Sequence, residues 1–300
     1  EIKTDGERLK LIAALGSSDD LAYHYALICE DWAAGGKLLL ENSFDRHGEA
    51  GIVFLLERLR AFGTASKTGT SSEGNATAGT AVGSGAGGEI STDTLGAKKL
   101  QQDAGQIRQR NGEQDCRRNS EQDGQQDCQQ DHEQDCRQWG EADTAYLAAK
   151  ILSQLRHRDF YAARAKELAA LLTARWEISD IALRRKQIIA LGWIGSESEI
   201  NLLIDSMQSD SDALCRAWAA AALMQLSFHA VDAAFLRERT KTAFAEAIQK
   251  EGDLNAAGIM IEAAQTLFGK KWISAAAAEA AESESIEKAR KSALRFLGKA

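Results

Sequence analysis

A 32-residue internal repeat in the second half of the chain constrains the fold more than any other sequence feature. The segment from Asp180 to Ile194 aligns without a gap with the segment from Asp212 to Leu226, and Asp, Arg, Ala and Leu recur in register. A shorter amphipathic segment, Ile200 to Ile204, lies between the two copies. A helix, a turn and a second helix at this period are typical of a solenoid.

The complete absence of proline supports long helices throughout the chain. Average usage would give roughly 15 prolines in a chain of this length, and none is present among the 300 residues. Proline breaks helices, whereas alanine-rich runs such as Ala217 to Ala222 favour them. No segment shows the two-residue alternation of a strand. We therefore expect an all-α fold, with apolar periodicity predicting helices at about 142–156, 159–175, 180–194, 197–208, 212–227, 231–250, 254–268 and 283–297.

The run Ala190-Leu-Gly-Trp-Ile-Gly195, followed by Ile200 to Leu203, Asp210 to Asp212 and Arg216, resembles HEAT repeats. It is most similar to the bacterial HEAT-like repeats first noted in phycobilisome lyases. The resemblance covers about residues 180–226 and implies a solenoid of helical hairpins. The chain departs from the family at the turn between helices, where the usual proline is replaced by Ser196 or Ser198.

In that family, the Asp and Arg of stacked repeats form a hydrogen-bonded ladder. The resemblance therefore implies a structural ladder at the matching positions of this chain, which are Asp180, Arg184, Asp212 and Arg216.

The chain divides into three parts by composition. Residues 1–62 form an N-terminal helical segment and residues 141–300 form the HEAT-like domain. Between them, residues 63–97 are mostly Gly, Thr, Ser and Ala, and a four-residue repeat of the type Glu-Gln-Asp-Cys continues to about residue 140. Such a segment has too few apolar side chains to offset its conformational entropy. We predict that this long low-complexity insert, residues 63–140, is disordered.

A helical wheel predicts a partner-binding stripe. Lys186 and Trp193 of the first copy fall within one arc of about 60° at 100° per residue, and the same arc of the second copy holds Trp218 and Gln225. Second helices usually line the concave face of a solenoid, and Trp is a frequent binding anchor. The alternative interpretation is that both Trp side chains fill the core between helices.

Charge and cysteine content limit the possible functions. The net charge of −8 and the pI near 5.3 disfavour charge-driven nucleic-acid binding. No apolar run reaches the length of a membrane span. Cys29 and Cys215 lie in apolar helical patterns and are interpreted as buried hydrophobic residues. A cytoplasmic location is expected from this cysteine usage.

The remaining motifs do not predict catalytic or cofactor chemistry. Gly83 to Gly88 is a literal G-x-G-x-x-G, but no strand precedes it, as dinucleotide binding would require. Cys128, His132 and Cys136 lie four residues apart because the tetrapeptide repeats, so we predict no metal site. The histidines are scattered, and no P-loop, HExxH or EF-hand pattern occurs. No cofactor is predicted.

These observations favour a non-enzymatic scaffold that binds a protein or peptide partner on its concave face. An enzyme-assisting role like that of the HEAT-like bilin lyases, which act on a chromophore, is the alternative implied by the resemblance. A nucleic-acid-binding HEAT-like protein, such as a glycosylase, is a third possibility that the acidic charge disfavours.

Overall fold

The computed structural model describes residues 7, 14, 21–33, 35–36, 38–65, 128–176 and 180–298, with side chains for all of these except 63–65 and 128–139. Every regular element in these ranges is helical, which confirms the all-α prediction. The α-helices are α1 (Leu21–Ala33), α2 (Gly48–Ala65), α3 (Cys128–Gln154), α4 (Tyr161–Thr173), α5 (Ile181–Ile194), α6 (Ile200–Ser209), α7 (Ala213–Leu226), α8 (Ala233–Lys250), α9 (Leu254–Leu267), α10 (Ala275–Glu279) and α11 (Ser283–Leu297), with 3-10 helices at Leu40–His47 and Glu197–Glu199.

The helix ends predicted from residue 159 onwards agree with the structure to within a few residues. Two differences stand out. Helix α3 begins at Cys128, inside the tetrapeptide tract, where polar residues give no apolar period to reveal a helix. The short helix α10 was not predicted. Residues 66–127, and with them most of the insert that was predicted to be disordered and the motif Gly83 to Gly88, lie outside the described residues.

Aspartates define the N-terminal ends of four helices. The side chains of Asp180, Asp212, Asp232 and Asp253 each accept a hydrogen bond from the backbone N–H three residues later, at 2.8–2.9 Å. These bonds satisfy donors that the first turn of a helix leaves free. Ser196 takes the place of the family's proline and forms a capping box with Glu199, whose carboxylate accepts from the Ser196 backbone N–H at 2.7 Å.

The helices stack as hairpins in two rows. Helices α3, α5, α7 and α9 lie side by side, and we call these four the central row. Helices α4, α6 and α8 each connect two neighbours in the central row and pack against it, and α8 also contacts α6. At the C-terminal end, α10 and α11 cover α9. The order of helix, turn and neighbouring helix is the HEAT-like solenoid that the 32-residue repeat predicted.

Small residues let α5 and α7 approach closely. All residues from Ala217 to Leu226 in α7 are at most 5% exposed. At Gly192 of α5, a Cβ atom would lie 2.9 Å from the Cα of Ala222 and 3.1 Å from the side-chain oxygen of Gln225. The glycine is therefore required by packing at this crossing, since no ordinary Cβ contact is so short.

Gly192→Ala is expected to lower the free energy of unfolding by about 1–3 kcal/mol, the usual cost of overpacking a core. In an open helical position the same change would stabilise by up to about 1 kcal/mol, so the sign of the effect tests the crossing. The obstacle is backbone, which cannot rotate away. Urea unfolding followed by far-UV circular dichroism measures the change. The matched control is Gly252→Ala, where a Cβ meets nothing within 4 Å; an unchanged or higher midpoint for Gly192→Ala would contradict the packing argument.

The N-terminal segment packs directly on the second part of the chain. Helix α2 contacts α3 and α4, and the 3-10 helix at Leu40–His47 contacts α3. The buried apolar side chains of both parts belong to one continuous cluster. In the described residues, the two parts that the sequence separates therefore share a core.

Candidate partner-binding surface

Arginine and acidic side chains join neighbouring repeats along the edge where the central-row helices begin. Arg184 of α5 makes two hydrogen bonds of 2.8 Å to Asp210, in the turn before α7. Arg216 of α7 makes two bonds of 2.8 and 2.9 Å to Glu251, in the turn before α9. Each pair is bidentate, the strongest geometry for an arginine–carboxylate contact. The two pairs are equivalent and tie three successive hairpins together.

The carboxylates that Arg184 and Arg216 contact lie outside the four positions that the family resemblance named. Asp210 and Glu251 each lie two residues before the capping aspartate and also accept its backbone N–H at 2.9 Å. Asp212 pairs instead with Arg185, through bonds of 2.9 and 2.8 Å, while it caps α7. Asp180 caps α5. Sequence reasoning missed Arg185, Asp210 and Glu251, although Asp210-Ser-Asp and Glu251-Gly-Asp share a visible spacing.

Burial and ion pairing act in opposite directions on these carboxyl groups. Burial alone raises the pKa of Asp212 and of Glu251, but hydrogen bonds from Arg185 and Arg216, helped by backbone N–H donors, hold both pKa values below the usual range. Burial raises the pKa of the neighbouring Cys215 thiol to about 12. A neutral, buried thiol is a poor nucleophile.

Three of the four residues predicted to bind a partner are buried. Trp193 is 5% exposed, Trp218 4% and Gln225 5%. The Trp193 ring lies 5.0 Å from that of Tyr146 on α3. Lys186 is half-buried and forms an ion pair with Asp143, also on α3. The arc therefore faces a neighbouring helix, which favours the alternative interpretation that these side chains fill the core; their role in binding stays a prediction.

Two of these buried side chains keep a polar atom unpaired. Trp218 Nε1 and Gln225 Nε2 have no hydrogen-bond partner among the described residues. A buried donor without a hydrogen-bond partner lowers the stability of the folded state, so these two N–H groups are a cost to the fold.

On α9 the same arc is open. Counted from the capping Asp253, the positions that match Leu214, Trp218, Ala221 and Gln225 are occupied by polar and aliphatic residues of intermediate or full exposure. They are Asn255, Ile259, Glu262 and Thr266. Their spacing places them on one face of α9.

Two phenylalanines are exposed on the opposite edge, where the central-row helices end. Phe228 is 60% exposed and Phe235 is 44% exposed. They flank the turn between α7 and α8, which is fixed by backbone bonds of 3.0 Å from Ala230 and Val231 to the carbonyl of Leu226. Phe228 thus lies in a hydrogen-bonded turn and Phe235 in the first turn of α8.

Basic side chains cover the helix C-termini along this edge. Arg156 donates to the carbonyl of Trp193 at 3.0 Å, and Arg237 donates to that of Leu267. His229 Nε2 lies 2.9 Å from the carbonyl oxygen of Gly192. Burial holds the pKa of His229 below its ordinary value, partly offset by this bond. These contacts complement the negative end of each helix dipole and are sufficiently explained by it.

The structure does not test the other sequence motifs, which lie outside the residues whose side chains are described. No group of three or more metal-ligating side chains occurs among the residues whose side chains are described; the side chains of Cys128, His132 and Cys136 lie outside them. None of the described helices is long and apolar enough to cross a membrane.

The family model for HEAT repeats matches residues 137–224, the stretch from α3 to the end of α7. Together with the stacked hairpins, this match supports a HEAT-repeat protein. Helices α8 and α9 continue the same packing beyond the matched stretch. No curated protein and no solved structure is similar enough to the chain to count as a match.

Proposed function

We propose that the protein is a non-enzymatic HEAT-repeat scaffold that binds a protein or peptide partner. The exposure of Phe228, in the turn after α7, and of Phe235, in the first turn of α8, carries this proposal. Aromatic side chains are enriched at protein interfaces, and a few such anchors supply most of the binding energy. Because the turn is already ordered, a partner gains contacts without first fixing the turn in place.

Affinity capture with the full chain as bait tests the proposal. The double variant Phe228→Ser, Phe235→Ser should no longer capture the specific partner, because loss of two anchors weakens binding by about a hundredfold or more. Both side chains are exposed, so the melting temperature should stay almost unchanged. The matched control is Ile181→Ser, which replaces a side chain of similar exposure, 43%, on the opposite edge.

Proteins recovered by the wild type and by Ile181→Ser, but lost with the double variant, would support the phenylalanine surface. Equal recovery of the same proteins by all three baits would refute it.

Binding on the concave face is a narrower proposal within the same function. It is supported by the arc of α9, which is less buried than those of α5 and α7 and contains one aliphatic residue, the half-buried Ile259. Ile259→Asp as a fourth bait distinguishes the phenylalanine surface from the arc on α9. Loss of the partner with this variant alone would show that the partner binds at α9.

An enzyme-assisting role of the phycobilisome-lyase type is the alternative from the sequence resemblance. Adding a free bilin to the purified protein distinguishes the two functions. A scaffold for proteins leaves the bilin absorbance spectrum unchanged, whereas a saturable shift would favour the lyase-type role.

A further inference from the structure

The joint between the N-terminal segment and α3 contains a buried ion pair. Lys150 of α3 donates to Glu41 at 2.9 Å, and their side chains are only 11% and 7% exposed. The other carboxylate oxygen of Glu41 accepts from the indole N–H of Trp32 at 3.3 Å. Both charges are compensated only while the two parts stay together, since an unpaired buried charge is strongly destabilising.

Further contacts surround this pair. Tyr25 hydrogen-bonds Thr144 of α3, and the Trp32 ring lies 6.1 Å from that of Tyr146 in an edge-on arrangement. At the rim, Glu49 accepts from Arg164 at 2.9 Å. The joint thus has an apolar and hydrogen-bonded centre with exposed ion pairs around it, as stable interfaces do.

The first and last units of a solenoid need a cap, because each repeat buries its apolar face only against a neighbour. At the C-terminal end, α10 and α11 cover α9. At the other end, α3 is covered by the 3-10 helix and α2, although residues 66–127 separate them from it in the sequence.

We propose that α3 carries a docking surface whose occupant is residues 21–65 of the same chain, held there by non-covalent contacts and not by the connection through residues 66–127. The segment is then an N-terminal cap of the repeat array that survives cleavage of the insert. Dissociation constants of interfaces with a well-packed, charge-complementary centre lie in the micromolar range or lower. We therefore expect the cut cap to bind the rest of the chain with a dissociation constant below about 1 μM.

The test uses the full chain with a protease recognition sequence inserted between Gly85 and Ala86. After cleavage, size-exclusion chromatography at micromolar and nanomolar concentrations is compared with the uncut protein. Co-elution of both pieces at the mass of one uncut chain supports the proposal. Separate elution overturns it, and so does elution at twice that mass, which would show exchange of the cap between two copies.

Glu41→Ala in the cleavable chain tests the buried pair. It leaves Lys150 buried without its carboxylate, so the dissociation constant should rise at least about a hundredfold. Glu49→Ala, which removes an exposed partner of Arg164, is the matched control and should change it less than about fivefold. Circular dichroism of the uncut variants confirms that each folds. An unchanged dissociation constant for Glu41→Ala would overturn the assignment of the docking surface.

Discussion

Trp218→Ala is expected to lower the free energy of unfolding by about 3–5 kcal/mol, the range for truncating a large buried aromatic side chain. The Trp218 side chain is 4% exposed, and all the residues that follow it in α7 are buried as well. Alanine would leave a cavity that close-packed small side chains cannot fill. Chemical denaturation of the full chain, monitored by far-UV circular dichroism, measures the change in the free energy of unfolding.

Two variants control for the Trp218 effect. Trp218→Phe keeps most of the ring and removes an N–H that has no partner, so it should cost less than about 1.5 kcal/mol. Phe228→Ala truncates a ring that is 60% exposed and should cost about 0.5 kcal/mol or less. If Trp218→Ala instead kept full stability and lost the partner, the predicted surface stripe would be restored and the core interpretation would be wrong.

Arg216→Ala is expected to lower the free energy of unfolding by about 3 kcal/mol, the low end for breaking a buried ion pair, since the arginine is itself partly exposed. The loss arises because Glu251, 1% exposed in its side chain, would remain buried without its bidentate partner. Arg216→Lys keeps the charge but not the fork of two donors, so it should recover only part of the loss.

The same pair makes stability depend on pH. The pKa of Glu251 is lower in the folded protein than in the unfolded chain, so its contribution is present above the unfolded value and is lost as the pH falls through the folded one. Arg216→Ala should therefore reduce the loss of stability on acidification. Arg164→Ala, at an exposed pair, is the control and should cost about 1 kcal/mol or less. Equal effects of Arg216→Ala and Arg164→Ala would refute the role of burial.

Local signals in the sequence were sufficient for most helices from residue 159 onwards, but not for α10 or for the start of α3. The apolar period predicted α5, α7 and α9 because it depends on residues within one or two turns. The carboxylates that Arg184 and Arg216 contact could not be identified from local sequence. Arg216 contacts Glu251, 35 residues further on, and the choice between Asp212 and the acidic residue two positions earlier depends on how the turn places each carboxylate.

The predicted binding stripe shows the limit of a helical wheel. A wheel identifies which residues share a face, and Trp193 and Gln225, like Lys186 and Trp218, do occupy matching positions on adjacent helices. It does not say what that face meets. The close approach allowed by Gly192 brings α5 and α7 together, so positions that would be open on an isolated hairpin are covered, while the matching positions on α9 remain accessible.

Each ladder carboxylate lies two residues before the aspartate that caps the next helix. Because of this fixed spacing, the turns on this edge of the array should tolerate inserted residues less well than the turns on the other edge. At 210–212 and 251–253, one added residue would separate the arginine's partner from the helix start that it also serves. In the turn at 227–232 on the other edge, backbone bonds run to the carbonyls of Met224, Gln225 and Leu226. Its capping residue Asp232 is not a ladder partner of Arg184 or Arg216, although His229 reaches the carbonyl of Gly192. Insertions, tags and grafted peptides are therefore best accommodated on the edge that bears Phe228, which leaves the repeat-to-repeat spacing intact.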